Sequence, residues 1–228
     1  MNLLHRISRK LGVKSKPSFS LNALDLRLHK YIKKRNGFFV EVGANDGITQ
    51  SNSLLLEQKY GWTGLLIEAV PELSKKCAQN RPNCIIENCA LVSESYKEKT
   101  VQIHYCNLMS FISNDIVDEE EHLQKGRRFL KNDDGDYLID VPVATLSSVF
   151  DKYSIQQIDL LSLDVEGYEI EVLKGMDFSR HLPSYMLIEV RDKIITEELI
   201  SAYYKQKAVL QSNEDYADIL YERRKLHR

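Results

Sequence analysis

Short apolar runs alternate along this chain with segments whose apolar residues recur every three or four positions. The runs are Phe38 to Val42, Leu65 to Ile67, Cys84 to Glu87, Ile158 to Leu163 and Tyr185 to Val190. Too short for helices and flanked by turn residues, they read as buried strands. Leu21 to Lys34 carries Leu21, Leu24, Leu28 and Tyr31/Ile32 at helical spacing until Asn36-Gly37 breaks it. Ser51 to Tyr60 reads as a helix burying Leu54 to Leu56 and ending at Gly61, and Pro71 suits the first turn of a helix reaching Asn80. Further helices are expected around Leu146 to Tyr153, from Glu169 to Lys174 and near Glu197 to Lys207, with a last strand near Ile219 to Glu222. This alternation predicts an α/β fold: a parallel sheet, helices on both faces, right-handed crossovers and a ligand site at the strands' carboxyl ends.

The rhythm fails between Val101 and Val143. A strand-like Val101 to Tyr105 gives way to a polar stretch with Asp118 to Glu121, Lys125 to Arg128 and Asp133 to Asp136. It reads as an insertion over about residues 106–140, either a lid or a solvated surface loop. Residues 1–36 read as a basic arm and an N-terminal helix, and 37–228 as one domain. In the arm, Arg6, Arg9, Lys10, Lys14 and Lys16 accompany Leu4, Ile7 and Leu11 at helical spacing. Such a segment can touch anionic lipid or a partner, or remain a solvated arm.

At 228 residues and 43% hydrophobic content, the chain can bury one core plus an excursion. Its net charge of -2, from 31 basic and 33 acidic residues, lacks the basic excess of a DNA binder. Cys77, Cys84, Cys89 and Cys106 form no C-x-x-C pair, so neither zinc nor a redox motif is suggested. With no long apolar run and no leader-like segment, a cytoplasmic chain is expected. Nothing in the sequence speaks to oligomeric state.

The first strand carries the most chemistry. Phe38 to Gly47 runs from an apolar strand into a small-residue turn, and Glu68 closes the next apolar run. A glycine-ended strand lets a ligand approach the backbone, and an acid at the neighbouring strand tip can accept hydrogen bonds from ribose hydroxyls. Gly43 and Gly47 are four apart, so no G-x-G-x-x-G fits this turn. A diphosphate would also meet repulsion from Glu41 and Asp46. S-adenosylmethionine, a sulfonium with an ammonium group, suits those acids and the Asn45 amide better than NAD does. The plainer alternative makes Glu41 a strand-end residue facing solvent.

Three blocks, Phe39-Val40-Glu41-Val42-Gly43-Ala44-Asn45-Asp46-Gly47, Gln50 to Glu57 and Gly61 to Glu68, resemble the FkbM family of methyltransferases. Asp164-Val165-Glu166-Gly167-Tyr168-Glu169 and Ile188-Glu189-Val190 match it too, extending the resemblance over about residues 37–191. It implies a Rossmann-like class I methyltransferase fold, with a mostly parallel seven-stranded sheet, using S-adenosylmethionine on hydroxyl groups, often of sugars or polyketides. On this resemblance Glu41, Gly43, Asn45, Asp46 and Gly47 hold the methionine half of the donor and Glu68 its ribose. Cys89 and Ala90 border adenine; Ala44, Ser51, Asn52 and Ala69 belong to the same donor site; Asp164 and Glu166 face methyl group and acceptor. The chain departs from the family in Ala69-Val70, which delays a proline to Pro71, and in Ser162, where a basic residue is common. The implied setting is tailoring of a bacterial surface glycan or its nucleotide-linked precursor.

As proton acceptors, Asp164 and Glu166 rank first, then Glu189, then His181. Asp164, Glu166 and Glu189 could also bind Mg²⁺, but their spacing is not diagnostic and no metal is assigned. Tyr153, Tyr168, Tyr185 and Trp62 could stack on a sugar ring or simply fill the core. The rivals are an NAD(P)-dependent oxidoreductase, an RNA ribose methyltransferase and a non-enzymatic binding module. A nucleic-acid base methyltransferase is disfavoured, since Asp164-Val165-Glu166-Gly167 stands where Asp/Asn-Pro-Pro-Tyr would be expected.

Overall fold

The computed structural model describes residues 18–112, 119–130 and 135–225. The basic arm therefore lies outside the described residues, as do parts of the expected insertion. In chain order the elements are α1 (Leu24–Leu28), β1 (Phe38–Val42), α2 (Leu54–Tyr60), β2 (Thr63–Ile67), α3 (Pro71–Asn80), β3 (Ile85–Glu87) and β4 (Ala90–Leu91). Then come β5 (Thr100–Tyr105), β6 (Phe111–Ile112), α4 (Glu119–Gly126), β7 (Tyr137–Ala144), α5 (Leu146–Lys152), β8 (Leu160–Leu163) and α6 (Glu169–Lys174). The chain closes with β9 (Tyr185–Val190), α7 (Lys193–Ile200), β10 (Tyr204–Ser212) and β11 (Ala217–Arg223).

Seven strands form the main sheet in the order β10-β11-β9-β8-β1-β2-β3. β1 pairs parallel with β2 and β8, β2 with β3, and β8 with β9, while β11 runs antiparallel between β9 and β10. The sheet is thus mixed, with one reversed strand, and is the α/β class the sequence predicts. Alternation along the strands builds a core on each face. Val40, Val42, Leu65, Leu161, Leu163 and Ile188 pack with Val149 and Phe150 of α5, Val172 of α6 and Ile200 of α7. Phe39, Leu66, Leu160, Leu187 and Leu220 face the other way, onto Leu28 of α1, Leu56 of α2 and Cys77 of α3. The chain winds outward from β1 through β2 to β3, then returns to start β8 on β1's other side. That reversal opens a crevice at the carboxyl ends of β1 and β8, where ligands bind in sheets of this kind.

A second sheet, β4-β7-β5-β6, stands beside the first. β5 and β7 pair antiparallel from Thr100↔Pro142 to Tyr105↔Tyr137. The stretch read from sequence as an insertion holds β6, α4 and the start of β7, and its strands join β4 and β5, which precede it, in this small sheet. Two expectations about helices need correction. Leu21 to Lys34 is not one helix: Asn22 and Ala23 adopt left-handed backbone (φ 50° and 56°), and the Asp25 carboxylate accepts the Phe19 N–H at 2.8 Å, restarting the chain as the short α1. The helix placed near Glu197 to Lys207 is α7, which ends at Ile200, and Lys207 lies in edge strand β10. Among the described residues, no helix is long and apolar enough to cross a membrane.

Candidate active site

At the crevice, β1 ends in a turn that only glycine can begin. Gly43 sits at φ +80°, and a Cβ there would lie 1.9 Å from the Asp164 carbonyl oxygen, so the ends of β1 and β8 meet backbone to backbone. Asn45 continues the turn at φ 50°. Its N–H donates to Glu68 Oε2 at 2.7 Å, and the Val70 N–H donates to Oε1 at 2.9 Å. The Asn88 amide fixes the same corner by donating to the Glu68 and Ala69 carbonyls, both at 2.8 Å. Burial pushes the Glu68 carboxyl up to about 7, against the lowering effect of those N–H donors.

Glu41 does not face solvent. Its carboxylate accepts the Asn52 N–H at 2.6 Å, the Ser51 hydroxyl at 2.9 Å and the Ser53 hydroxyl. Buried Arg81 closes this knot, donating to the Gly47 carbonyl at 2.8 Å and to Ser53 Oγ at 3.1 Å while pairing with Glu57. Glu41 thus shapes the wall by fastening the Ser51–Ser53 segment to the strand. Asn52 donates its amide to Ser162 Oγ at 3.2 Å, which leaves its buried Oδ1 without a partner.

Together these groups line a cleft whose empty space, open solvent included, is about 1010 Å³. Of the residues picked out by sequence, Glu41, Gly43, Ala44, Asn45, Ser51, Asn52, Glu68, Ala69, Cys89, Ala90, Asp164 and Glu166 line it. Asp46 and Gly47 stand behind the wall: Asp46 closes the turn by accepting the Thr49 N–H at 2.7 Å, and Gly47 packs on Arg81 and Cys77. His181 is not brought to the cleft. It precedes β9, at the opposite end of the parallel strands, packed edge-on against Phe150 with Nε2 3.4 Å from Asp151. Of the candidate stacking aromatics only Tyr168 lines the cleft; Trp62 is buried, Tyr153 donates to Glu87 and Tyr185 to Glu222. The second sheet supplies the roof through Ile103, Phe111 and Ile112, with Leu108 from the turn between β5 and β6. Asn107, at φ 60°, accepts from the Asn45 amide at 3.4 Å across the cleft. Sequence reasoning missed these roof residues because they fall in the stretch without periodicity.

Beyond β8 the acids gather. Oxygens of Asp164, Glu169 and Glu189 lie within 4.8 Å of one another, and Arg191 Nη2 donates to Glu189 at 2.7 Å and to Glu166 at 3.1 Å. Glu169 accepts the Val165 and Gly167 N–H groups at 2.9 and 3.1 Å, which rounds the turn into α6. Burial and the neighbouring acids, Glu189 first, raise the Asp164 carboxyl well above the usual range. Burial raises Glu166 to about 7 against the pull of Arg191, and burial with the Glu166 charge raises Glu189 to about 8. Groups poised near neutrality at a cleft can take up or release protons there. No metal is assigned to these acids, whose positive neighbour is Arg191.

The sequence profile of the Methyltransferase FkbM domain matches residues 41–222, from the end of β1 into β11. The chain belongs to the FkbM methyltransferase family. It is 30% identical over 164 residues to the methyltransferase sdnD of Sordaria araneosa, a match covering 62% of this chain and 61% of the relative. The FkbM chain thus spans about three fifths of that relative's length. Among solved structures it is similar to a TehB-like SAM-dependent methyltransferase from Corynebacterium glutamicum (11% identity, TM-score 0.46, 97% of this chain and 96% of that one). It is also similar to Aeropyrum pernix fibrillarin in complex with S-adenosyl-L-methionine (14% identity, TM-score 0.47, 87% and 73%).

Proposed function

We propose that this protein transfers a methyl group from S-adenosylmethionine to a hydroxyl group, with a sugar or glycan precursor as acceptor. One observation carries the donor reading. The charged residues lining the cleft are Glu41, Glu68, Asp164 and Glu166, and among the described lining residues there is no lysine, arginine or histidine. A dinucleotide's phosphates would meet acidic side chains and no basic residue in this lining, whereas a sulfonium with an ammonium group is matched by acids that can ionise against it. The same lining disfavours RNA, whose phosphates call for basic contacts.

The residues fit such a donor. The unpartnered Asn52 Oδ1 is a buried acceptor suited to an ammonium group, and Glu68 retains lone pairs for ribose hydroxyls beside the two N–H donors it already holds. Ile67, Ala69, Cys89, Ala90 and Leu91 give an apolar slot for a flat base at the same end. When bound, the donor supplies an electrophilic methyl group. Asp164 and Glu166, at the acceptor side, are the candidates to receive the hydroxyl proton late in the transfer. Alignment of the reacting atoms can account for about 7–11 kcal/mol of barrier lowering, more than the roughly 10²- to 10⁴-fold from a base, so the walls and roof matter most.

The acceptor class rests on family membership and on a lining that suits neutral or cationic molecules better than phosphorylated ones. Incubating the protein with methyl-labelled donor and a panel of neutral glycans, nucleotide sugars, RNA and cell extract tests it. Label in a glycan hydroxyl is expected; label confined to RNA, or to nothing while donor is bound, would overturn the acceptor reading.

A further inference from the structure

We propose that Arg191 is a positioning residue: its guanidinium holds the Glu166 carboxylate at the edge of the cleft, on a backbone conformation that glutamate rarely keeps unaided. The inference rests on the reading of the cleft as a methyl-transfer site.

Glu166 has φ +57°, left-handed for a residue with a Cβ, and Gly167 follows at φ +106°. Backbone outliers of this kind persist only where their surroundings hold them, and they cluster at functional sites. The holding contact is visible. Arg191 Nη2 reaches both Glu166 Oε2 at 3.1 Å and Glu189 Oε1 at 2.7 Å. The arginine is itself braced. A Cβ on Gly167 would lie 3.7 Å from its Cδ and Nε, so that backbone runs along the arginine stem, and its Cζ lies 5.9 Å from the centre of the Tyr216 ring. Tyr216 belongs to a turn fixed by Asn213, whose Oδ1 accepts the N–H groups of Asp215 and Tyr216 at 2.8 and 2.9 Å.

Among the described residues, the other titratable groups that act on Glu166 oppose its ionisation or are neutral. Asp164 and Glu169 flank it from its own loop and α6 and Glu189 from β9, with Asp218 opposite Glu189 on β11. His122 of α4 places Nε2 3.9 Å from Glu166 but shares that nitrogen with the Met109 carbonyl at 3.1 Å, and burial lowers its proton affinity. Burial likewise holds the Cys106 thiol at about 12. Among the described residues the fixed cation in contact with Glu166 is Arg191, so both the place and the charge state of Glu166 depend on it.

The test needs no acceptor. Protein carrying ¹³C-labelled glutamate carboxyls is titrated by NMR, with Glu166→Gln assigning the resonance. Arg191→Gln should raise the Glu166 midpoint by about one pH unit or more, a roughly tenfold gain in proton affinity, and Arg191→Lys by less. S-adenosylmethionine affinity should stay within about threefold, since the guanidinium does not line the donor wall. If the glutamine variant does not fold, Arg191→Lys decides: one ammonium cannot reproduce the paired contacts, so the Glu166 or Glu189 midpoint should move by about half a unit. A Glu166 midpoint unmoved in a folded Arg191→Gln protein, or both midpoints unmoved in Arg191→Lys, would overturn the proposal. Failure of the unaltered protein to bind the donor would instead overturn the methyl-transfer reading and leave the titration result standing.

Discussion

Replacing Glu68 with glutamine separates the two tasks assigned to this side chain. In the native corner Oε2 receives the Asn45 N–H and Oε1 the Val70 N–H. Glutamine offers one acceptor oxygen, so in either orientation its NH₂ faces a buried backbone N–H. Leaving that donor unsatisfied costs about 1–3 kcal/mol. Above pH 7 the loss is partly offset, because the native carboxyl, raised to about 7, is then ionised in a buried setting. The donor feels a second loss. A hydrogen bond from a ribose hydroxyl to a carboxylate contributes about 1.5–3 kcal/mol, so Kd for S-adenosylmethionine should rise roughly 10- to 100-fold. Calorimetry at pH 8 reads the affinity, and urea unfolding of the same samples reads the stability. A folded Glu68→Gln protein binding the donor within twofold of native would refute the ribose assignment.

Other outcomes follow from the same geometry. Gly43→Ala introduces a Cβ at φ +80° and 1.9 Å from a backbone oxygen, so it should lose about 2–5 kcal/mol of stability, read by denaturant unfolding. Glu68, Glu166, Glu189 and Asp218 all have raised carboxyls, at about 7, 7, 8 and 6. A raised acid stabilises fully below its unfolded value and loses that contribution as pH climbs through the folded one. Unfolding free energy should therefore fall between about pH 4.5 and 8, Glu68 alone contributing about 3 kcal/mol, as denaturant midpoints across that window will report. Methyl transfer should survive exhaustive chelation, since no step is assigned to a metal; loss of activity restored by Mg²⁺ would place an ion among Asp164, Glu169 and Glu189.

The sequence made the centre of the molecule legible and its margins obscure, for a physical reason. Strands β1, β2, β8 and β9 are covered on both faces, so they must be nearly continuous apolar runs, as Leu160–Leu163 shows with every residue buried. β10 is an edge strand whose Lys205, Gln206 and Lys207 are exposed, and its polar pattern carries little strand signal. β7 has its buried residue at Val141 amid mostly exposed or half-buried neighbours, so the second sheet, and with it the roof, escaped notice. In the site, the glycine turn and Glu68 were readable because backbone geometry restricts which residues can stand there. What Glu41 does was not readable. Its partners Ser51 and Ser53 and the arginine that closes the knot, Arg81, are brought to it by folding and leave no local motif. Likewise His181 looked available for proton transfer until topology put it at the other end of the sheet.

The central claim is that an acidic, glycine-rimmed cleft holds a cationic methyl donor. Calorimetric titration of the unaltered protein with S-adenosylmethionine, S-adenosylhomocysteine, NADH and NADPH tests it most directly. Saturable binding of the two sulfur nucleosides, with none of either dinucleotide, is expected. Tight uptake of NADH or NADPH, with no heat from the methyl donor or its product, would contradict it.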